Sequence, residues 1–285
     1  MPHSDKKQAC LPTDLAGLLC WWDFQEAPGA AALSKGRYAY ALTEQLGPIK
    51  RVAGGVFGLP KSIHLSPGQW LCAPRATCPG IDLRGHQPLT LLAWIRQDSP
   101  RLWQFIAGMW DERDRRQYGL FVNGSRQYDA LTDCRTPAHN QVHGYLSDSG
   151  GKSPGKEACF SYATGQTSLH LEQWHCIACV WDGAQIAVYV DGQLDANASA
   201  NPIPFTAPIF DFEALGTPPP PHANPRWSQL GGADFTVGQH GHVLWADYPA
   251  ATGPQGEGFS GCIGSICLYD RALDTPEIQA LAKSP

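Results

Sequence analysis

Trp174–Ala196 reads WHCIACVWDGAQIAVYVDGQLDA, and near the C-terminus Gly258–Lys283 reads GFSGCIGSICLYDRALDTPEIQALAK. In the first stretch two runs rich in β-branched and aromatic residues, His175–Trp181 and Gln185–Val190, are separated by Asp182-Gly183-Ala184, and Asp191-Gly192 bounds the second. That order predicts strand, turn, strand, turn. Along the second run Ile186, Val188 and Val190 share one face while Ala187 and Tyr189 take the other, so at least one face is strongly buried. In the closing stretch Cys262–Tyr269 predicts a further strand, ended by Asp270-Arg271. Asp274, Pro276 and Glu277 then supply an N-cap, a first-turn proline and a capping-box acid for a short helix over Glu277–Lys283.

These phrases resemble the laminin-G-like branch of the concanavalin A-like lectin/glucanase superfamily. The carriers are Trp174-His175, the hairpin ending Val188-Tyr189-Val190-Asp191-Gly192, and Gly261-Cys262-Ile263-Gly264 followed by Tyr269-Asp270-Arg271-Ala272-Leu273. Upstream, Leu18–Phe24, Gly54-Gly55-Val56-Phe57-Gly58 and Leu89–Arg96 look like the family's first strands, so the likeness spans most of the chain. It implies an all-β fold, a two-sheet antiparallel jelly-roll sandwich with a short C-terminal helix. One laminin-G-like domain over residues 1–285 is expected, with an N-terminal extension at 1–16 and a Pro-rich insertion at 201–226. Function does not follow from the scaffold, because one fold hosts many sites.

Composition agrees with that architecture. The 285 residues include 30 Gly, 24 Pro and 10 Trp with only 16% charged residues, a turn-rich and aromatic-rich β composition. No fixed repeat is evident, which argues against a propeller or solenoid. A net charge of −5 offers no basic stripe for nucleic acid. Met1–Ala9 is polar and charged, and the apolar run Leu18–Trp22 is too short to span a bilayer, so a leaderless, cytoplasmic protein without membrane partners is expected. Cys176, Cys179, Cys262 and Cys267 lie within predicted strands and read as small buried hydrophobes. Cys176-x-x-Cys179 resembles half a zinc site, but strand alternation sends its thiols to opposite faces and no second pair stands at zinc-ribbon spacing. Cys72 and Cys78 would close a loop only under oxidising conditions.

The middle of the chain carries the candidate chemistry. Phe105–Trp110 and Tyr118–Asn123 read as neighbouring strands joined by the charge run Asp111–Arg116, either a solvated hairpin tip or a rim of Arg above a groove. By parity Trp103 and Trp110 face opposite ways, so at most one of them belongs to such a groove. On the next strand, Gln141–Ser147, alternation puts Gln141, His143 and Tyr145 on one face and Val142, Gly144 and Leu146 on the other. Rings for apolar sugar faces and amide, imidazole and guanidinium donors for hydroxyls or carboxylates are what a glycan needs.

Gln141-Val142-His143 also resembles the Q-(I/V)-H motif of jelly-roll alginate lyases. That likeness implies a groove in which His143 or Tyr145 moves a proton, with Tyr162 on the next strand as another candidate carrier. Gln141 with Arg115 or Arg116 would meet a uronate carboxylate, and Trp110, Tyr118 and His139 would complete the substrate surface. The chain departs from that family in lacking its R-(S/T)-E-L and Y-F-K-A-G-x-Y-N-Q phrases; Phe160–Gln166, FSYATGQ, has Thr164 where the catalytic Tyr belongs. Asp111 and Glu112 are adjacent and diverge, and no E-x-D-x-x-E phrase is present, which argues against a glucanase-type hydrolase.

The Pro-rich stretch Asn201–Arg226 predicts a long loop, packed by its Phe residues and by Trp227. It leads to a strand at Asp234–Gln239 and to Gln239-His240-Gly241-His242, a second rim candidate with two imidazoles that would share a strand face. No cofactor is expected; a structural calcium ion is compatible with the resemblance, although no D-x-D-x-D-G loop is present. Two function classes follow. One is a lyase acting on uronic-acid-containing poly- or oligosaccharides by β-elimination; the other is a non-catalytic carbohydrate-binding or interaction module using the same face.

Overall fold

A computed structural model describes residues 10–100, 103–111, 115–126, 138–151, 153, 159, 161–212, 232–240 and 258–283. In chain order the strands are β1 (Leu18–Trp22), β2 (Ala32–Leu33), β3 (Ala41–Gln45), β4 (Lys50–Ala53), β5 (Lys61–Leu65), β6 (Trp70–Ala73), β7 (Leu89–Gln97), β8 (Gln104–Met109) and β9 (Tyr118–Arg126). They continue with β10 (Ala138–Leu146), β11 (Tyr162–Thr164), β12 (Trp174–Trp181), β13 (Gln185–Val190), β14 (Gln193–Leu194), β15 (Ile203–Pro204), β16 (Phe235–Val237) and β17 (Gly261–Tyr269), and helix α1 (Thr275–Ala282) closes the chain.

These strands form two antiparallel sheets. The first runs β14-β13-β12-β7-β17-β5-β4, with β1 on β17 and β15 on β13; the second runs β11-β10-β9-β8-β16-β6-β3-β2. Their facing sides enclose the main core. Ile177, Cys179 and Trp181 of β12 and Ile186, Val188 and Val190 of β13 meet Leu120 and Val122 of β9 and Val142 and Leu146 of β10. This is the alternation expected of β13 and β10. The sheets approach so closely at Gly144 that a Cβ there would lie 2.5 Å from Cys179 Sγ and 2.9 Å from Val188 Cγ1.

The outer side of the first sheet is closed. Ile278 and Leu281 of α1 pack there with Trp21, Trp94, Cys176, Cys267 and Tyr269. The helix starts as its sequence demands: Asp274 accepts from the Glu277 amide at 2.9 Å and Glu277 accepts from the Asp274 amide at 3.0 Å. It begins two residues earlier than its periodicity suggested, at Thr275. Cys176 and Cys179 do take opposite faces, and burial raises both thiols, Cys179 to about 12, so both stay protonated in the folded state.

Two expectations need correction. Gly54–Gly58 is not a strand but the loop joining β4 to β5, where the Gly55 amide bonds to the Leu59 carbonyl and Phe57 is set edge-on to Trp21 and Trp94. Its apolar pair caps the outer side of the first sheet instead of entering a ladder. The start of the Pro-rich stretch is also more regular than its composition implies. Ile203–Pro204 pairs with β13, and the Asn201 side chain stands in for a strand residue, accepting from Val188 N and donating to the Val188 and Asp195 carbonyls. Residues 213–231, including Trp227, lie outside the described residues.

Candidate functional site

The outer side of the second sheet holds the remaining cluster. Register across β8, β9, β10 and β11 fixes its layout, because residues directly opposite in an antiparallel pair share a face. Phe105, Phe121, His143 and Thr164 form one row; Gly108, Gly119, Tyr145 and Tyr162 form the next. Asn123 and Gln141 sit opposite each other in a third. Gln141, His143 and Tyr145 therefore face away from the sandwich core, as alternation predicts.

The rings pack tightly. Tyr145 stacks on Tyr162 at 4.7 Å between centroids, and His143 stacks on Tyr162 at 5.5 Å. Trp110 meets Tyr145 edge-on at 5.3 Å, Phe121 meets it at 4.9 Å, and Trp103 stands edge-on to His143 at 5.8 Å. Gly119 is what lets the rings lie against the sheet: a Cβ there would sit 2.8 Å from Phe121 and 3.5 Å from Trp110. Most of these side chains are buried, and Trp103 is the half-buried ring at the margin.

Trp103 and Trp110 thus share one face, against the parity argument. The cause is a β-bulge. Phe105 pairs with Phe121 but Ala107 with Leu120, so Ile106 is an extra residue, and both Ile106 and Ala107 turn inward. One inserted residue inverts the alternation between the two tryptophans.

Tyr118 is the second correction among the candidate residues. It lies opposite Met109 and belongs to the main core, where its hydroxyl donates to the Ile81 carbonyl at 2.7 Å. Burial pushes its phenol well above the ordinary value. The arginines are engaged locally: Arg115 is ion-paired with Asp111, and the Arg116 guanidinium lies over Trp110 at 5.8 Å. His139 is the second residue of β10, opposite Ser125; its side chain is outside the described set.

His143 is the chemically distinctive member. Its Nδ1 is 3.2 Å from Thr164 Oγ1, whereas Nε2 is buried with no hydrogen-bond partner. Burial lowers its pKa to about 3, so the ring is neutral near pH 7. Asn123 has 0% exposure, and neither its amide nitrogen nor its oxygen has a partner. Gln104 is similarly unpartnered, but opposite Val122 it faces the interior, and nothing in the structure explains it. His240, the rim candidate, is buried edge-on to Phe105 at 5.8 Å, while Gly241 and His242 fall outside the described residues. Among the described residues no group of three or more His, Cys, Asp or Glu is arranged to hold a metal ion.

Asn123, Phe105 and Phe121 were not anticipated. The signal existed: Gly119, Phe121 and Asn123 alternate with Tyr118, Leu120 and Val122 on β9, and only the pairing with β10 tells which set joins the site.

A laminin-G-type family model, described as the concanavalin A-like lectin/glucanases superfamily, matches residues 73–279. The chain belongs to this superfamily. Solved structures of similar fold include domain 4 of AbnA, an extracellular arabinanase of Geobacillus stearothermophilus, in complex with arabinotriose (TM-score 0.55, 15% identity, covering 93% of this chain and 98% of that one). A second is botulinum neurotoxin type C, whose cell entry depends on interaction with two ganglioside molecules (0.51, 10%, 94% and 51%). A third is the Trypanosoma rangeli sialidase with 2,3-difluorosialic acid (0.51, 18%, 95% and 33%). The chain thus spans about half of the neurotoxin chain and a third of the sialidase, and at these identities the likeness is one of fold. No curated protein matches in sequence. The concanavalin A-like assignment agrees with the two antiparallel sheets, and among the described residues no helix is long and apolar enough to cross a membrane.

Proposed function

We propose that this concanavalin A-like chain binds a carbohydrate on the outer face of its second sheet, centred on Gln141, His143, Tyr145 and Tyr162. The observation that carries the reading is the union of stacked rings with buried polar groups that have no partner, His143 Nε2 and the Asn123 amide. A sugar is the complement of such a surface: apolar ring faces pack on aromatics, and hydroxyls both donate and accept. That an arabinanase domain of this fold was solved with arabinotriose supports the class of ligand.

β-Elimination on a uronate is the second reading, favoured by the same unpartnered Nε2, which is neutral and free to accept a proton. A base with a pKa of about 3 takes a carbon-bound proton poorly near neutrality, where the effective catalyst titrates close to the working pH. Arg115, wanted for the carboxylate, is ion-paired with Asp111. Binding without chemistry is the better supported function.

The test is to titrate the protein calorimetrically with neutral and uronate oligosaccharides while following the ultraviolet absorbance of an unsaturated product, with His143→Ala alongside. Glycan binding weakened by the substitution, without product, is the expected result. Product whose formation needs His143 would establish the lyase instead. Absence of binding to every glycan would overturn the carbohydrate reading.

A further inference from the structure

We infer that the loop joining β4 to β5 is a displaceable flap over a peptide-docking slot on the outer side of the first sheet. The partner that fits the slot presents an aliphatic residue followed by an aromatic one, as Val56 and Phe57 now do. The slot lies on the other sheet from the glycan face, and the inference does not depend on that reading.

The slot is defined by what fills it. Val56 is 1% exposed and is seated over Gly264 of β17, where a Cβ would lie 3.0 Å from Val56 Cγ1 and 3.2 Å from Trp174 Cζ3. Phe57 stands edge-on to Trp94 at 4.7 Å and to Trp21 at 5.6 Å. One seat thus takes a branched aliphatic side chain and the next takes an aromatic ring.

The occupant is held to the sheet by side-chain packing, to which Leu59 adds. The amides of Gly54, Gly55 and Leu59 bond to the carbonyls of Pro60, Leu59 and Val56, each at 3.1 Å, so the loop closes on itself. Among the described residues, no hydrogen bond joins residues 54–60 to the strands beneath. Gly54 at φ +89° and Gly58 at φ +71° bracket the apolar pair, and a Cβ on either would meet nothing within 4 Å. They are glycine for conformation and not for room, which gives the pair a hinge on each side.

Two features make the loop an imperfect occupant. Phe57 is held at φ +59°, in the left-handed region that bulky residues avoid. Trp94 is 2% exposed, and its indole N–H is buried in this cluster with no hydrogen-bond partner, although a buried indole N–H usually finds one. A segment that is not closed into the β4–β5 hairpin escapes both constraints. Its aromatic residue need not be left-handed, and its carbonyls can be brought to the indole N–H.

The experiment titrates the full chain calorimetrically with the peptide acetyl-Gly-Gly-Val-Phe-Gly-amide and with two controls that carry Ala in place of Val or of Phe. Wild type is compared with Val56→Gly/Phe57→Gly, which keeps the length of the flap and empties both seats; Phe57→Gly alone empties one and serves if the double variant fails to fold. Both proteins should bind the Val-Phe peptide, wild type at least about tenfold more weakly because its own flap competes, and neither should bind the controls. The Trp94 indole proton, identified in magnetic resonance spectra by its loss in Trp94→Phe, should shift when the peptide binds. Failure of the emptied variant to bind, equal binding by both proteins, binding of the controls, or an indole proton that does not move would each overturn the inference. Binding by the emptied variant and not by wild type would show a fixed structural wedge, and would overturn it as well.

Discussion

Acid should destabilise this protein through His143, and the size of the effect follows from its burial. The imidazole is buried among rings, which lowers its pKa from 6.5 to about 3. The unfolded chain therefore binds a proton that the folded chain refuses whenever the pH lies between those values. Stability from this group is complete above about pH 6.5 and declines as pH falls toward 3. Each pH unit in that window costs about 1.4 kcal/mol, so going from pH 7 to about pH 5 should remove about 2 kcal/mol. The assay is urea unfolding at both pH values for wild type and His143→Gln, which keeps a neutral polar side chain but cannot titrate. Carboxylates shared by both proteins cancel in the comparison. Wild type should lose about 2 kcal/mol more than the variant over this range. Equal losses would refute the claim that His143 is held neutral by burial.

Three further outcomes are expected. Gly144→Ala forces a methyl against Cys179 and Val188 where the sheets are closest, and should cost about 1–3 kcal/mol in chemical denaturation. Tyr118→Phe removes the hydroxyl bonded to the Ile81 carbonyl and should cost about 1 kcal/mol by the same measurement while leaving glycan titrations unchanged, because this ring faces the core. Asp274→Ala deletes the acceptor of the Glu277 amide and should lower stability by about 1 kcal/mol, read as a drop in the thermal midpoint with no change in binding.

What could be read from the sequence was whatever is local in the chain. The inward set Ile186, Val188 and Val190, the capping box at Asp274 and Glu277, and the outward set Gln141, His143 and Tyr145 follow from period two or from a helix start, and each is found as expected. What depends on two strands meeting was hidden. Asn123 enters the site only because β9 pairs with β10 in a register that sets it against Gln141. Tyr118 misled because both faces of β9 carry aromatic residues, so alternation separated Tyr118 from Phe121 without saying which lay inside. Gly54–Gly58 failed for a related reason: a loop that docks Val56 and Phe57 on a sheet has the apolar content of a strand.

Ile106 bears on how this surface came to exist and how easily it could vanish. It is the surplus residue in β8, the one that brings Trp103 and Trp110 to the same side. Deleting its single codon would restore strict alternation and drive one tryptophan into the core, so no sequence of point substitutions is needed to dismantle the aromatic face. Among related chains, gain or loss of the face should therefore track the presence of one inserted residue at this position, a signature that comparisons scored only by residue identity would pass over as a gap.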